Sequence, residues 1–384
     1  MRNRFQKWAY ACSLFCAVGM MTVSCSDDDV DYRSEVYLTG EINPIEVISS
    51  AGAPDLSIGK PAFNLTFTAS DDWSISAHDL FNPQEEANWV KFHTTAGKEG
   101  SQYLGVYADK NTAAEERAAM LEISCKGKSM SLIVVQQAES PIANPNQASI
   151  STSKRVKKIE YYYSDDTNRS SQTLHFFYDE KETLYKIYND SHGKGFINLS
   201  GGNYSIETVG SINKVSITSS NSYATTNSYA IVNGKAVAGY EKTIKLDHFQ
   251  TSSFDYNLNS LQSVTGDLND SATKHSFYWD NNNLVKFEND KGVSSKQIKY
   301  SNTLNDSNLD INYFIAYNDY LEATQGLPDY FSFLGALNLL GERSKNLAQA
   351  DYQYSNGVTD SDGVEHSGLT ATSSSVTIKV FYQE

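Results

Sequence analysis

Phe277-Tyr278-Trp279-Asp280-Asn281-Asn282-Asn283-Leu284-Val285-Lys286-Phe287 decides the fold of the larger part of this chain. Aromatic and apolar residues stand on both sides of a cluster of Asp and Asn. Asp and Asn tolerate left-handed backbone angles and bond to their own loops, whereas aromatic and β-branched residues favour paired strands. The stretch therefore reads as strand, tight turn, strand. The unit recurs: Phe176-Phe177-Tyr178-Asp179 leads through Glu180 to Thr183 into Leu184-Tyr185-Lys186-Ile187, and Phe254-Asp255-Tyr256-Asn257 followed by Leu261 is a weaker copy. Such a repeat reports hairpins rather than a catalytic motif.

Outward from these hairpins, residues 150–384 are rich in Tyr, Asn and Ser and nearly free of Pro, which predicts one tyrosine-rich antiparallel β domain. One segment breaks the pattern. Pro328 to Leu340 carries Phe331, Phe333, Leu334, Leu337, Leu339 and Leu340, which predicts a short helix ended by Gly341. It is too apolar to lie free, so it should cover an end or a face of the sheet. A helix dipping into a membrane is the alternative, but the basic face expected of one is missing.

On the N-terminal side, Pro141-Ile142-Ala143-Asn144-Pro145-Asn146 cannot sustain a helix or a central strand, and residues 140–149 read as a linker. Before it, residues 59–139 alternate with a period of two. The pattern shows from Asn64 to Ala69, in Trp73-Ser74-Ile75-Ser76, in Trp89-Val90-Lys91-Phe92 and around Tyr103 to Tyr107. Ala119 to Ser124, a turn at Lys126-Gly127-Lys128 and the strand Ser131 to Val135 complete a set of short strands typical of a sandwich. Trp73 and Trp89 occupy inward phases with apolar neighbours, the setting of core tryptophans rather than of sugar-stacking ones.

Residues 60 to 138 resemble the BACON domain, a Bacteroidetes-associated module with an immunoglobulin-like fold named for carbohydrate binding. The resemblance rests on Ala69-Ser70-Asp71-Asp72-Trp73-Ser74-Ile75, Trp89-Val90, Asn111-Thr112 with Glu116-Arg117-Ala118-Ala119, and Leu132-Ile133-Val134-Val135-Gln136-Gln137-Ala138. It implies either a sugar-binding module or a spacer lifting its partner domain from a membrane, and the spacer is the expectation here. Residues 150 to 384 resemble a family of Bacteroidota lipoproteins of unknown function described as porin-like. The residues concerned are the hairpins above, Asn305 to Tyr313, and Leu339-Leu340-Gly341-Glu342-Arg343-Ser344-Lys345-Asn346-Leu347. That resemblance implies a curved or closed antiparallel sheet and transfers no functional residue. The expected fold is thus all-β: an immunoglobulin-like β-sandwich, then a curved or barrel-like antiparallel sheet with one short helix.

The first residues address location. Arg2, Arg4 and Lys7 precede the apolar run Trp8 to Met21, the layout of a secretory signal over residues 1–24. The run is shorter than the about 20 apolar residues that span a bilayer. Small residues before Cys25 mark it as the lipidated first residue of the mature chain, since only a thiol takes the diacylglyceryl thioether; Thr22 stands where such signals usually carry Leu. Residues 25–58 form an acidic tether and lead-in. Ser26, Asp27, Asp28 and Asp29 resemble the export signal that sends Bacteroidota lipoproteins to the outer leaflet of the outer membrane. The expectation is a lipid-anchored, surface-exposed outer-membrane protein.

Composition narrows the partners. There are 31 Lys and Arg against 46 Asp and Glu, and loss of Arg2, Arg4 and Lys7 with the signal leaves 28 against 46, a balance of −18. Such a surface repels nucleic acid and anionic membranes but accepts neutral glycans. Cys12 and Cys16 leave with the signal and Cys25 carries lipid, so Cys125 has no intrachain disulfide partner. The seven histidines show no metal spacing, and no metal or other cofactor is expected. Asp360-Ser361-Asp362-Gly363 lacks the distal ligands of a calcium loop and reads as a hairpin turn. Unpatterned carboxylates raise no enzyme hypothesis, so a non-catalytic role is expected, a glycoside hydrolase being the least favoured of three readings.

Aromatic richness is the remaining functional signal, because sugar C–H faces stack on Tyr and Trp rings. In Tyr161-Tyr162-Tyr163, alternation sends Tyr161 and Tyr163 to one face; Tyr278 and Trp279 oppose each other likewise. Tyr161, Tyr163, Tyr278 and Trp279 are the candidate glycan contacts, against the reading that such rings fill the interior. Asp270-Ser271-Ala272 matches a short O-glycosylation signal. The leading expectation is a surface accessory protein binding polysaccharide through its second domain, and the second is a scaffold that docks neighbouring surface proteins.

Overall fold

The computed structural model describes residues 37–40, 42–54, 59–139, 154–163, 172–180, 182–191, 202–209, 213–219, 225–243, 249–268, 271–317, 327 and 330–383. Cys25, Ser26 to Asp29, the linker 140–149, Asp270 and Pro328 lie outside them. The chain divides into two compact units, Met1–Ile142 with Val209–Lys214, and Ala143–Thr208 with Val215–Glu384.

The first unit contains β1 (Leu38–Thr39), β2 (Ile45–Ile48), β3 (Phe63–Ala69), β4 (Trp73–Asp79), β5 (Val90–Phe92), β6 (Ala96–Gly97), β7 (Gly100–Ala108), β8 (Arg117–Cys125) and β9 (Lys128–Gln136). They form two sheets, ordered β1-β3-β7-β5 and β2-β9-β8-β4-β6, with β2 parallel to β9. The inward phase of each strand meets in one core: Leu65, Phe67, Leu104 and Val106 from one sheet, Trp73, Ile75, Leu121, Ile123, Leu132 and Val134 from the other. The Trp73 indole is edge-on to Phe67 at 5.1 Å between ring centroids. Gly97 is required beside it, since a Cβ there would stand 2.6 Å from the indole nitrogen. The turn expected at Lys126-Gly127 has both residues left-handed, φ 48° and 71°, as a two-residue hairpin demands.

The second unit carries β10 (Val156–Tyr163), β11 (Gln172–Tyr178), β12 (Leu184–Ser191), β13 (Gly202–Val209), β14 (Lys214–Ser219), β15 (Thr225–Val232), β16 (Lys235–Thr243), β17 (Phe249–Asn257), β18 (Ser260–Leu268), β19 (Ser271–Asp280) and β20 (Asn283–Asn289). After them come β21 (Tyr300–Leu304), β22 (Asn346–Ala348), β23 (Gln353–Thr359), β24 (Glu365–Thr372) and β25 (Val376–Tyr382). Strands β10 to β20 follow one another as a meander. β25 pairs with β10, so the 14-stranded sheet runs β20 to β10, then β25-β24-β23. It is open, with β20 and β23 at its edges; β21 and β22 form a separate ribbon.

The sheet curls around residues 305–317 and 330–348. Laid flat, β11 and β19 would be roughly 38 Å apart at about 4.8 Å per strand. Yet Phe176 of β11 meets Phe314 at 5.4 Å, Tyr204 of β13 meets Phe333 at 5.4 Å, and Phe277 of β19 stacks on Phe331 at 5.6 Å. These insertion residues belong to two short helices, Asn312–Ile315 and Phe331–Ala336, which pack where Gly335 lies against the Tyr313 ring. The apolar helix therefore covers the concave face, as its composition requires.

Its end differs from expectation. The Asn338 N–H bonds the Gly335 carbonyl and the Leu339 N–H bonds that of Leu334, with Asn338 left-handed at φ 61°. This is a Schellman cap closed by Asn338 rather than Gly341. Gly341 serves another purpose: at φ 80° it passes so close to the Asn259 carbonyl that a Cβ would stand 2.0 Å from it. Here the chain sews hairpin tips together. The Ala236 N–H bonds the Leu339 carbonyl, the Glu342 N–H that of Asn259, and the Lys345 N–H that of Asn282. Arg343 is sunk beneath this stitching. Its guanidinium donates to the carbonyls of Ser307 at 3.0 Å and Asn305 at 2.5 Å, and to the Asn338 side chain at 3.1 Å.

Candidate ligand-binding face

The four rings expected to touch sugar do not form one surface. Tyr161 is 0% exposed, and its hydroxyl donates to the Phe314 carbonyl at 2.9 Å. Its ring is walled in by the insertion and offers no face to a ligand, which removes it from the candidates. Tyr163 is half-buried on the same side of β10. Trp279 is half-buried on β19, and its indole N–H donates to the Leu261 carbonyl at 2.8 Å. Tyr278 points to the opposite, outer side and is 42% exposed, with Lys286 over its ring at 5.2 Å and its hydroxyl donating to Glu288; it stands on β19, eight strands along the sheet from β11, apart from the other exposed rings.

These contacts explain the repeat in the sequence. At the end of the first strand of each hairpin, one aromatic residue reaches back to a main-chain carbonyl of the preceding strand. Tyr178 donates to Val156 at 2.9 Å, Tyr256 to Ala236 at 2.8 Å and Trp279 to Leu261 at 2.8 Å; Tyr300 at the start of β21 donates to Leu284 at 2.6 Å. In the hairpins of Tyr178, Tyr256 and Trp279 the register shifts at this aromatic residue, because the following strand carries one extra residue, a bulge, opposite it. One residue earlier, an outward ring is capped by the lysine opposite: Phe177 by Lys186 at 5.3 Å, Tyr278 by Lys286 at 5.2 Å.

A different aromatic face emerges on β11 and β12. Among the described residues the large unit has four well-exposed rings, and three of them, Phe177 at 39%, Tyr185 at 46% and Tyr188 at 36%, lie on this one hairpin. Phe177 is opposite Lys186 and His175 is opposite Tyr188, so Phe177 and Tyr188 occupy one diagonal of a square, about 7–8 Å apart. Tyr185 is the extra residue of the bulge, beside Lys186. In the sequence these residues read only as parts of a hairpin. Phe177 and Tyr188 alternate with the apolar Phe176 and Ile187, a signal for the outer face, but the bulge that brings Tyr185 alongside cannot be read from composition.

Polar groups border the rings. In register across the sheet stand Tyr188, His175, Lys158 and Phe381. The His175 and Tyr188 rings are 5.9 Å apart, and Lys158 lies over Phe381 at 4.0 Å. Desolvation, and secondarily the Lys158 charge, pushes the His175 pKa below its ordinary value, so the imidazole is neutral at neutral pH. One row on, Glu160 accepts from Lys158 at 2.6 Å and from the Tyr162 hydroxyl at 2.7 Å, with Asp190 beyond Thr173. The face thus presents rings, donors and acceptors of both signs.

In the first unit, several of the residues that carry the BACON resemblance are turned inward, whereas Ser70, Asp72, Ser74 and Thr112 are exposed. Gln136 is buried and its amide donates to the carbonyls of Ser49 at 3.2 Å and Asp109 at 2.9 Å, while its oxygen accepts from Arg117 at 2.8 Å. Buried Asn111 donates to Glu115 and Gln137 carbonyls, 3.0 Å each. Trp89 is half-buried with the Arg117 guanidinium 4.5 Å over its ring. Among the described residues Tyr103 is the most exposed ring of this unit, on the outer side of β7 opposite Thr66. Asp360 serves its turn, accepting the N–H groups of Asp362 and Val364 at 2.9 Å each. Among the described residues no three His, Cys, Asp or Glu side chains are grouped to hold a metal ion.

Fold and face together define an all-β protein of two units, a two-sheet sandwich and a curled meander with an exposed aromatic hairpin. Residues 79–138 match the family model BACON, described as "Putative binding domain, N-terminal". No curated protein matches the chain in sequence. Among solved structures, a porin-like protein from Bacteroides uniformis is similar at 14% identity and a TM-score of 0.40, covering 59% of this chain and 98% of that one. A Bacteroides ovatus GH5 xyloglucanase, solved with a XXXG heptasaccharide, is similar at 20% identity and a TM-score of 0.19; the match covers 30% of this chain and 21% of the xyloglucanase. Neither likeness is close enough to bear on function.

Proposed function

We propose that this protein is a lipid-anchored accessory protein of the outer-membrane surface that binds neutral glycan without cleaving it, through the outer face of β11 and β12. The observation that carries this reading is the clustering of Phe177, Tyr185 and Tyr188, exposed on one hairpin and bordered by Lys158, Lys186, Glu160 and Asp190. Exposed aromatic clusters are uncommon on surfaces without partners. Stacking on sugar C–H faces with hydrogen bonding to hydroxyls uses both components of this face. The sandwich serves as a spacer, a reading supported by Asn111, Arg117 and Gln136, which among the residues that mark it hold its own loops. The anchor at Cys25 and the acidic stretch Ser26 to Asp29 support a surface address.

Affinity electrophoresis of the soluble full-length mature chain through gels containing neutral polysaccharides tests the reading. Retardation by at least one polysaccharide, lost in a Phe177→Ala/Tyr188→Ala variant and kept in Tyr278→Ala, is the expected result. Absence of retardation in every gel would remove the glycan reading and leave docking of neighbouring surface proteins in its place.

A further inference from the structure

The spacing of the exposed rings constrains what can lie across them. Tyr185 and Tyr188 are on the same strand; with Tyr185 in the bulge, between two and three strand steps of roughly 3.3 Å separate them, a little under about 10 Å along β12. That is close to the length of one disaccharide repeat in an extended glycan. In a chain joined through 1,4-diequatorial bonds, successive pyranose rings turn over, so alternate sugars present the same C–H face to one side. Axially linked chains coil and cannot keep two such faces in line.

Resting on the glycan reading above, we propose that the β12 face binds an internal stretch of an extended, equatorially linked neutral glycan, with Tyr185 and Tyr188 stacking on sugars one disaccharide repeat apart. Phe177 widens the platform beside them. His175 stands beside Tyr188, in position to meet a hydroxyl of the intervening sugar, while Lys186 lies over the Phe177 ring at 5.3 Å. The rings are exposed on an open sheet surface, which accommodates a chain passing through; recognition of a chain end needs a walled pocket. Lysines and carboxylates alternate around the rings, and the whole chain carries a net charge of −15, so an anionic polymer is disfavoured.

Calorimetric titration of the full chain with equatorially β-linked gluco-, manno- and xylo-oligosaccharides, from mono- to hexasaccharide, and with an axially α-linked glucan series, tests this. For the series that binds, affinity should climb at least about tenfold between disaccharide and tetrasaccharide and then flatten, as a second stacked ring adds its contribution. Tyr185→Ala should erase that gain, and the α-linked series should bind at least about tenfold more weakly. If polysaccharide gels retard the protein but a monosaccharide binds as tightly as a tetrasaccharide, or α-linked chains bind as well as β-linked ones, this inference falls and the glycan reading stands. If no polysaccharide retards the protein, both fall.

Discussion

The indole N–H of Trp279 donates to the Leu261 carbonyl at 2.8 Å, the bond that the Tyr256 hydroxyl makes to Ala236 one hairpin earlier, also at 2.8 Å. Chemically different side chains thus perform one task, tying the strand that faces a bulge to the strand before it. Trp279→Phe keeps an aromatic ring and removes the donor. A half-buried carbonyl left without its partner should cost about 1–3 kcal/mol. The urea midpoint should fall accordingly while glycan retardation is kept. An unchanged midpoint would mean that the bond contributes nothing net.

Gly335 illustrates a constraint of a different kind. A Cβ there would stand 2.2 Å from the Tyr313 ring, which is itself held edge-on to Tyr317 at 5.0 Å and near Phe331 at 6.2 Å. Because none of these rings can swing into solvent, Gly335→Ala should lose about 1–3 kcal/mol or more through overpacking. Adding Tyr313→Leu should recover part of that loss, although Tyr313→Leu alone is destabilising. Simple additivity of the two losses in thermal unfolding would show that the clash is relieved elsewhere.

Much of the fold was legible because it is local. Period-two alternation marks the strands of the first unit, Lys126-Gly127 marks a turn, and Asp and Asn clusters between aromatic residues mark hairpins of the second unit. The destinations of individual side chains were not legible, since contacts distant in sequence set them. Nothing near Tyr161 announces that Phe314, more than a hundred residues away, will take its hydroxyl. Trp279 resembled a ligand platform because its acceptor, the Leu261 carbonyl, belongs to another hairpin. Gly341 looked like a helix stop, yet Asn338 already adopts the left-handed angle, and Gly341 is needed where the chain crosses the Asn259 carbonyl. The helix Asn312–Ile315 has no amphipathic pattern because all four of its residues are buried. The β12 face was missed because one bulged residue changes which rings share a side.

Alkaline pH should expose the cost of burying so many phenols. Burial pushes the Tyr178 pKa up to about 12, and it also raises those of Tyr161, Tyr256, Tyr313 and Tyr317. In the unfolded chain these groups ionise near 10. Between those values the unfolded state sheds protons that the folded state keeps, so stability is intact below about pH 10 and is lost as pH rises toward 12. Unfolding followed by phenolate absorbance should be cooperative across this window. Tyr178→Phe should flatten the decline measurably, and an unaltered slope would show that Tyr178 titrates freely.

Arg343 and Asp310 are joined through an amide. Asn305 Nδ2 donates to Asp310 at 2.6 Å, and Arg343 donates to Asn305 Oδ1 at 2.8 Å. Removing the cation by Arg343→Met leaves the Ser307 and Asn305 carbonyls without that donor and Asp310 buried with no compensating charge. Loss of one partner of a buried charged network costs about 3–5 kcal/mol. Desolvation already raises the Asp310 pKa, and Arg343 opposes that shift, so the variant should raise it further. A carboxyl with a raised folded pKa contributes most below its unfolded value and loses that contribution as pH rises through the folded one. The deficit of Arg343→Met in urea unfolding should therefore be smaller near about pH 4 than at neutrality, where Asp310 must ionise or stay protonated at a cost. Arg343→Met combined with Asp310→Leu should be less destabilised at neutral pH than the two single variants sum to. A deficit that does not change with pH would assign the whole effect of Arg343 to its carbonyl bonds and none to Asp310.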